Sequence, residues 1–310
     1  MFNAATSASK SCRSRSTATA RAFLTAVFCL GAGSFAAAAV PRYDHVVIVV
    51  MENHGLSQVV GNPSAPYITA LSSQGANFTN SHGVAHPSQP NYLALFSGST
   101  QGIGSDSCPH TFAGANNLGA QLFAAGLSFA GYSESMPTAG FTACSAGLYA
   151  RKHNPWVNFP NVPSTVNLPF SSFPSDYALL PTVSFVVPNL SSDMHDSDVG
   201  TGDAWLKLHI DPYVQWAKTH NSLLILTFDE DDWSTSSNLI PTVFAGAGVV
   251  PDGYKGRIDH YSILSTIESI YGLPALGSAP PISDVFGSGG ALAGARVDGK
   301  PEGATAPDLP

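Results

Sequence analysis

Strand and helix patterns alternate along the chain from residue 43 to about 276. Val46-Val47-Ile48-Val49-Val50, entered through His45, is an unbroken β-branched run, the pattern of a strand covered on both faces. Similar runs recur at 183–187, 223–228 and 241–244, with a weaker one at 127–132. Apolar positions three and four apart predict helices over 65–73, 117–125, 204–218 and 262–271. The alternation predicts an α/β fold with a mostly parallel sheet and helices on both faces. Between 152 and 181 both periods lapse. That stretch is rich in Pro, Asn and Ser, with Trp156, Phe159, Phe170, Phe173 and Tyr177 interspersed. It predicts an ordered excursion over the sheet that forms the wall or lid of a site.

The two ends differ from the middle. No acidic residue precedes Asp44, and Lys10, Arg13, Arg15 and Arg21 lead into an apolar stretch over 22–35 that ends in four alanines, Ala36 to Ala39. The stretch is shorter than the ~20 residues a membrane span needs. Residues 1–39 are therefore expected to be a signal peptide cleaved near Ala39, which makes the protein secreted or periplasmic with no stable membrane anchor. An uncleaved N-terminal anchor is the alternative. Past 285 the chain turns rich in Gly, Ala, Pro and Asp, so 286–310 is expected to be a disordered tail. One domain is expected over 40–285.

Composition narrows the function classes. At 44% hydrophobic and 11% charged, the chain can bury a core, and disorder is excluded as its default. The formal net charge is −8; without the four leader cations, 9 Lys and Arg face 21 Asp and Glu, a net −12. So acidic a chain excludes nucleic acid as a partner. Cys12 and Cys29 would leave with the leader, and Cys108 and Cys144 then have one intramolecular pairing in an oxidising compartment. Two unbridged thiols are the alternative.

Open parallel sheets bind ligands at the carboxyl ends of their strands, so the residues just past each run carry the most information about chemistry. The first run leads into Glu52-Asn53-His54, the 183–187 run into Asn189 and then Asp193-Met194-His195-Asp196, and the 223–228 run into Asp229-Glu230-Asp231-Asp232. Asp259-His260 precedes the last helix. Taken singly, each is a cap, an acidic turn or an ordinary histidine. Together they place carboxylates and imidazoles on one sheet edge, where a hydrolase holds a metal and an acid/base. In His86-Pro87-Ser88-Gln89-Pro90-Asn91, Pro90 suits a first helical turn and puts Ser88 at or near a helix start. A phosphate suits that place. The plain alternative is that Ser88 is only the cap.

These motifs resemble the bacterial acid phosphatase/phospholipase C phosphoesterase family of the alkaline phosphatase superfamily. The residues that carry the likeness are His45 to Asn53, His86 to Leu95, Asn189 with Asp193 to Asp196, Thr227 to Asp231, and His260-Tyr261-Ser262. Cys144 to His153 and Pro155 to Phe159 resemble the family's secreted phosphatases as well. The resemblance implies an alkaline-phosphatase-like fold with Ser88 as nucleophile and Asn91 on a phosphoryl oxygen. It also implies Glu52, Asp229 and Glu230 at metal positions, His260 as the late histidine and His195 as a needed one. Glu52 and Glu230 depart from the Asp and His of two-zinc relatives, which favours one divalent ion of unassigned identity, or weak metal dependence.

The expected chemistry is phosphomonoester hydrolysis through a phosphoserine, with a phosphoinositide lipid among the candidate substrates. Asn53 and Asn91 would support phosphoryl oxygens, and His195 would protonate the leaving alcohol, with His260 a ligand or second acid. Asp193, Asp196, Asp231 and His86 would orient these groups. A phosphodiesterase of the phospholipase C type and a catalytically silent binding module are the alternatives.

Overall fold

The first apolar run forms strand β1 (His45–Met51), followed by a short helix α1 (Leu56–Val59), α2 (Pro66–Gln74), β2 (Ala76–Phe78), β3 (Ser81–His82) and α3 (Ser88–Ser97). The chain continues through α4 (Leu118–Ala124), β4 (Phe129–Ser133), β5 (Ser145–Ala146), β6 (Tyr149–Ala150), β7 (Asn167–Pro169) and β8 (Val183–Val187). Then come α5 (Val199–His209), α6 (Asp211–Ala217), β9 (Ser222–Phe228), β10 (Thr242–Gly246), β11 (Asp252–Tyr254), β12 (Ile258–Asp259) and α7 (His260–Tyr271). This computed structural model describes residues 40–287. The expected leader and residues 288–310 of the expected tail lie outside the described residues. Phe286 is buried and bridges to Val249, so the ordered body runs past 285.

Eight strands form one sheet in the order β11-β2-β10-β9-β1-β8-β4-β7. β1 lies at its centre, parallel to both β8 and β9, while β10 runs antiparallel to β9 and β2. The sheet is thus mostly parallel, as the sequence predicts. Alternation along β1 builds two cores. Val46, Ile48 and Val50 join Leu93 and Phe96 of α3 and Ile263 and Ile267 of α7, whereas Val47, Val49 and Met51 join Ile68 of α2 and Leu206 and Val214 of α5 and α6.

Two expectations change in detail. The stretch 204–218 is two helices, because Pro212 enters the first turn of α6, where its missing N–H costs nothing, and could not continue α5. The excursion 152–181 is a series of 3-10 turns that includes β7, which pairs with β4 and extends the sheet. Its aromatics are packing groups: Trp156 and Phe159 join one core, and Phe170, Phe173 and Tyr177 lie against the other. Trp156 packs directly against Gly131, where an added Cβ would come within 2.2 Å of its ring. Cys108 and Cys144 are bridged.

Candidate active site

Register brings the first acids together. Met51 of β1 pairs with Phe228 of β9, so Glu52 and Asp229 leave adjacent strand ends side by side, both fully buried. Asn53, in the left-handed region at φ 55°, donates its N–H to Asp229 Oδ1 at 3.1 Å. The Asp193 carbonyl accepts from Glu52 N at 2.9 Å, which brings the segment after β8 to the same place.

Ser88 opens α3, with Pro87 as the cap residue, and its hydroxyl does not cap the helix. Oγ lies 3.0 Å from Glu52 Oε2 and 3.3 Å from Glu230 Oε1, one hydroxyl hydrogen between two carboxylates. The Gln89 N–H at that helix end is taken by Asp106 Oδ1 at 2.9 Å. One turn on, Tyr92 donates its hydroxyl to Glu52 Oε1. Glu230 is also bonded by His86 Nδ1, and His86 Nε2 lies 3.4 Å from Asp231. Ser88 lines a pocket of 440 Å³ together with Asn53, Asp106, His195, Glu230 and Trp233.

The excursion supplies two residues that carried no expectation. His153, fully buried, stacks on Tyr92 with ring centroids 5.0 Å apart. Its Nε2 is 3.2 Å from Glu52 Oε1 and its Nδ1 3.5 Å from Asp193 Oδ2. Lys152 donates to Asp106 Oδ2 at 2.7 Å and to His195 Nε2 at 3.2 Å. His195 Nδ1 lies 2.7 Å from Asp196 Oδ1, which orients the ring.

Other expected site residues are turned elsewhere. Asn91 accepts from Val84 N and Ala85 N and donates to the Ala85 and Pro87 carbonyls, so both ends of its amide hold the loop before α3 rather than face the pocket. His260 is buried and donates Nε2–H to the Asp229 carbonyl at 2.6 Å, which fixes the acidic strand end from behind. Asp231, by contrast, stays beside the site: it is bonded by Trp233 N and Thr235, and its Oδ1 lies 3.4 Å from the His86 that bonds Glu230.

Burial dominates the electrostatics. It raises Glu52 well above the carboxylate range, with the Asp229 and Asp193 charges adding to it. Burial likewise raises Asp193, raises Asp229 to about 6 against the Asn53 hydrogen bond, and raises Glu230 to about 9 with help from Asp229. His153 is pushed well below its ordinary value by burial, then by Lys152 and His195. Burial also pulls Lys152 down, but the Asp106 bond and the Glu52 and Asp229 charges outweigh it and leave the ammonium raised.

These residues fit a divalent cation. Among the described residues, Asp193 Oδ2, Asp229 Oδ2 and His153 Nε2 are buried polar atoms without an aligned hydrogen-bond partner, although His153 and Asp193 lie close to carboxylate or imidazole neighbours. Ligand atoms of Glu52, His153 and His195 lie within 4.8 Å of one another. The convergent set therefore contains two imidazoles, whereas Glu230 of the expected all-oxygen set is turned to Ser88 and His86.

Residues 62–274 match the phosphoesterase family. The chain is 53% identical to a phosphatidylinositol-3-phosphatase of Mycobacterium tuberculosis, over 81% of this chain and 86% of that protein. It is 34% identical to an acid phosphatase of Aspergillus fumigatus, over 67% of this chain and 51% of that longer protein. Among solved structures it is similar to a protein of the alkaline phosphatase superfamily from Vibrio parahaemolyticus, with a TM-score of 0.56 at 13% identity, covering 77% and 70% of the two chains.

Proposed function

The chain belongs to the phosphoesterase family, and on that footing we propose that it is a phosphomonoesterase acting through a phosphoserine at Ser88, with phosphoinositides among its substrates. The observation that carries the reading is the Ser88 hydroxyl held between Glu52 and Glu230 on the wall of the pocket. Trp156 and Phe159 are buried in one core and Phe170, Phe173 and Tyr177 pack against the other, and none of them lines the Ser88 pocket, which favours the monoester over the phospholipase reading. The leader over 1–39, cleaved near Ala39, remains part of the proposal and puts the enzyme outside the cytoplasm.

Glu52, His153, Asp193 and Asp229 would hold the cation, which leaves His195 free to carry a proton. Bound there, a divalent ion supplies Lewis-acid stabilisation of negative charge and relieves the repulsion among the buried acids. The mixed nitrogen and oxygen donors suit manganese, iron or zinc better than calcium. Ser88 Oγ attacks phosphorus while its proton passes to Glu230, held in place by His86 and in its ionised form, whose fraction grows as pH rises toward about 9. Lys152 supplies a positive charge for the phosphoryl oxygens. As the phosphorus–oxygen bond to the alcohol breaks, His195 in its protonated form, oriented by Asp196, gives that oxygen a proton. Water then attacks phosphorus and returns a proton to His195. The Ser88–phosphorus bond breaks, and Ser88 recovers its proton from Glu230.

The test compares p-nitrophenyl phosphate, bis-p-nitrophenyl phosphate and phosphatidylinositol 3-phosphate across pH, with rapid acid quench during turnover. Faster cleavage of the monoesters and phosphate trapped on the Ser88 peptide are expected. Preference for the diester would hand the site to the phosphodiesterase reading.

A further inference from the structure

Trp233 is unlike the other tryptophans of the domain. Trp156 and Trp205 are buried in the two cores and Trp216 packs against the second, whereas Trp233 is 63% exposed. It lines the same 440 Å³ pocket as Ser88. Its φ is 65°, in the left-handed region that a bulky side chain rarely adopts, and its N–H is held by Asp231 Oδ1 at 2.9 Å. A backbone outlier that serves no core is a reason to ask what the side chain does for the site.

The indole lies against His86, with centroids 4.3 Å apart and planes at 33°. His86 is itself fixed by Glu230, which accepts from Ser88, so the indole is anchored to the nucleophile through two residues. Around Ser88 the pocket is polar: Asn53 and His195 can face a phosphoryl group, while Asp106 is paired with Lys152 and Glu230 with His86. The pocket's large exposed apolar surface is Trp233, which is open to a leaving alcohol that shares the pocket with the phosphoryl group. Indole faces attract flat or cyclic partners, aromatic rings and the C–H faces of cyclic polyols alike.

Resting on the phosphatase reading above, we propose that Trp233 is a specificity-determining residue that stacks on the leaving group and selects phosphomonoesters whose alcohol carries a ring. Benzyl phosphate and n-butyl phosphate, whose leaving alcohols are both primary and similarly basic, provide the test on the wild type, Trp233→Ala and Trp233→Phe. The wild type should prefer the benzyl ester. In Trp233→Ala the benzyl-to-butyl ratio of kcat/KM should fall about fivefold through KM, the worth of one aromatic contact, and Trp233→Phe should restore most of it. A merely structural role would lower both esters together. An unchanged ratio in an enzyme that cleaves both esters overturns the stacking alone, and a wild type that cleaves neither overturns the phosphatase reading and this proposal with it.

Discussion

A serine at a helix start can cap the backbone or face the space beyond it, and Ser88 does the second. Ser88→Ala should therefore cost folding about 1 kcal/mol, the worth of one hydrogen bond. Turnover of p-nitrophenyl phosphate should fall roughly 10⁴-fold or more, because no other oxygen stands in its place. Thermal melting and a steady-state assay on the same preparation check both, and a variant that keeps most of its turnover would remove the covalent route. The sequence exposes Ser88, Glu52, Asp229 and Glu230 because each lies just past a strand or opens a helix, where position along the chain fixes position in space. It does not expose His153. In Arg151-Lys152-His153 that histidine reads as one more cation in an aperiodic loop, and only the packing of that turn beneath α3 brings it to Glu52. The one hint is the likeness of the Cys144 to His153 segment, which names no role. Asn91 misleads in the opposite sense. Its place beside Ser88 suggests a ligand contact, while its amide is consumed by the loop that Ser88 depends on.

The long strands are legible because a strand buried on both faces has few residue types open to it, and β1, β8 and β9 begin and end within a residue of the apolar runs. β2, β3, β11 and β12 are two or three residues long, too short for any period, and exist because neighbours pair with them. Contacts between elements are hidden for the same reason. Asp203 of α5 accepts from Tyr67 N at 3.0 Å and Ile68 N at 2.8 Å, so a carboxylate from another helix closes the first turn of α2. Asp203→Ala would leave two N–H groups unsatisfied and should cost about 2 kcal/mol in urea unfolding, with kcat/KM little changed. The Cys108–Cys144 bridge closes 36 residues and ties the loop of Asp106 to the segment leading into Lys152. Removing it as a Cys108→Ser/Cys144→Ser pair should cost about 3–4 kcal/mol in the chain-entropy model. Equal urea midpoints for the pair and the wild type would show that the covalent tie adds nothing.

At the scale of the molecule, the site opposes the fold. The sheet gathers Glu52, Asp193, Asp229 and Glu230 into its interior, and every one of them is raised by burial. A carboxyl whose folded pKa lies above its unfolded value near 4 holds its proton more tightly in the native state. Its contribution to stability is complete below about pH 4 and is lost as pH rises through the folded value. For Asp229 that value is about 6 and for Glu230 about 9, so the cation-free protein should lose stability steadily across the neutral range. This is the reverse of a protein held by exposed salt bridges, whose carboxylates fail it in acid. Melting of chelator-treated protein should therefore move to lower temperature as pH rises from about 5 to about 9. A divalent ion placed among Glu52, His153, Asp193 and Asp229 changes the sign of the argument, because the same ionised carboxylates then become its partners. At a hundred times its dissociation constant, such an ion adds about 2.7 kcal/mol, or about 5–10 °C for a domain of this size. The gain should grow with pH, since protons compete for the same oxygens and nitrogens. A melting temperature indifferent to manganese, zinc and magnesium at neutral pH would show that the buried acids are neutralised by shared protons alone. Catalysis would then have to rest on Lys152 and the helix end that carries Ser88.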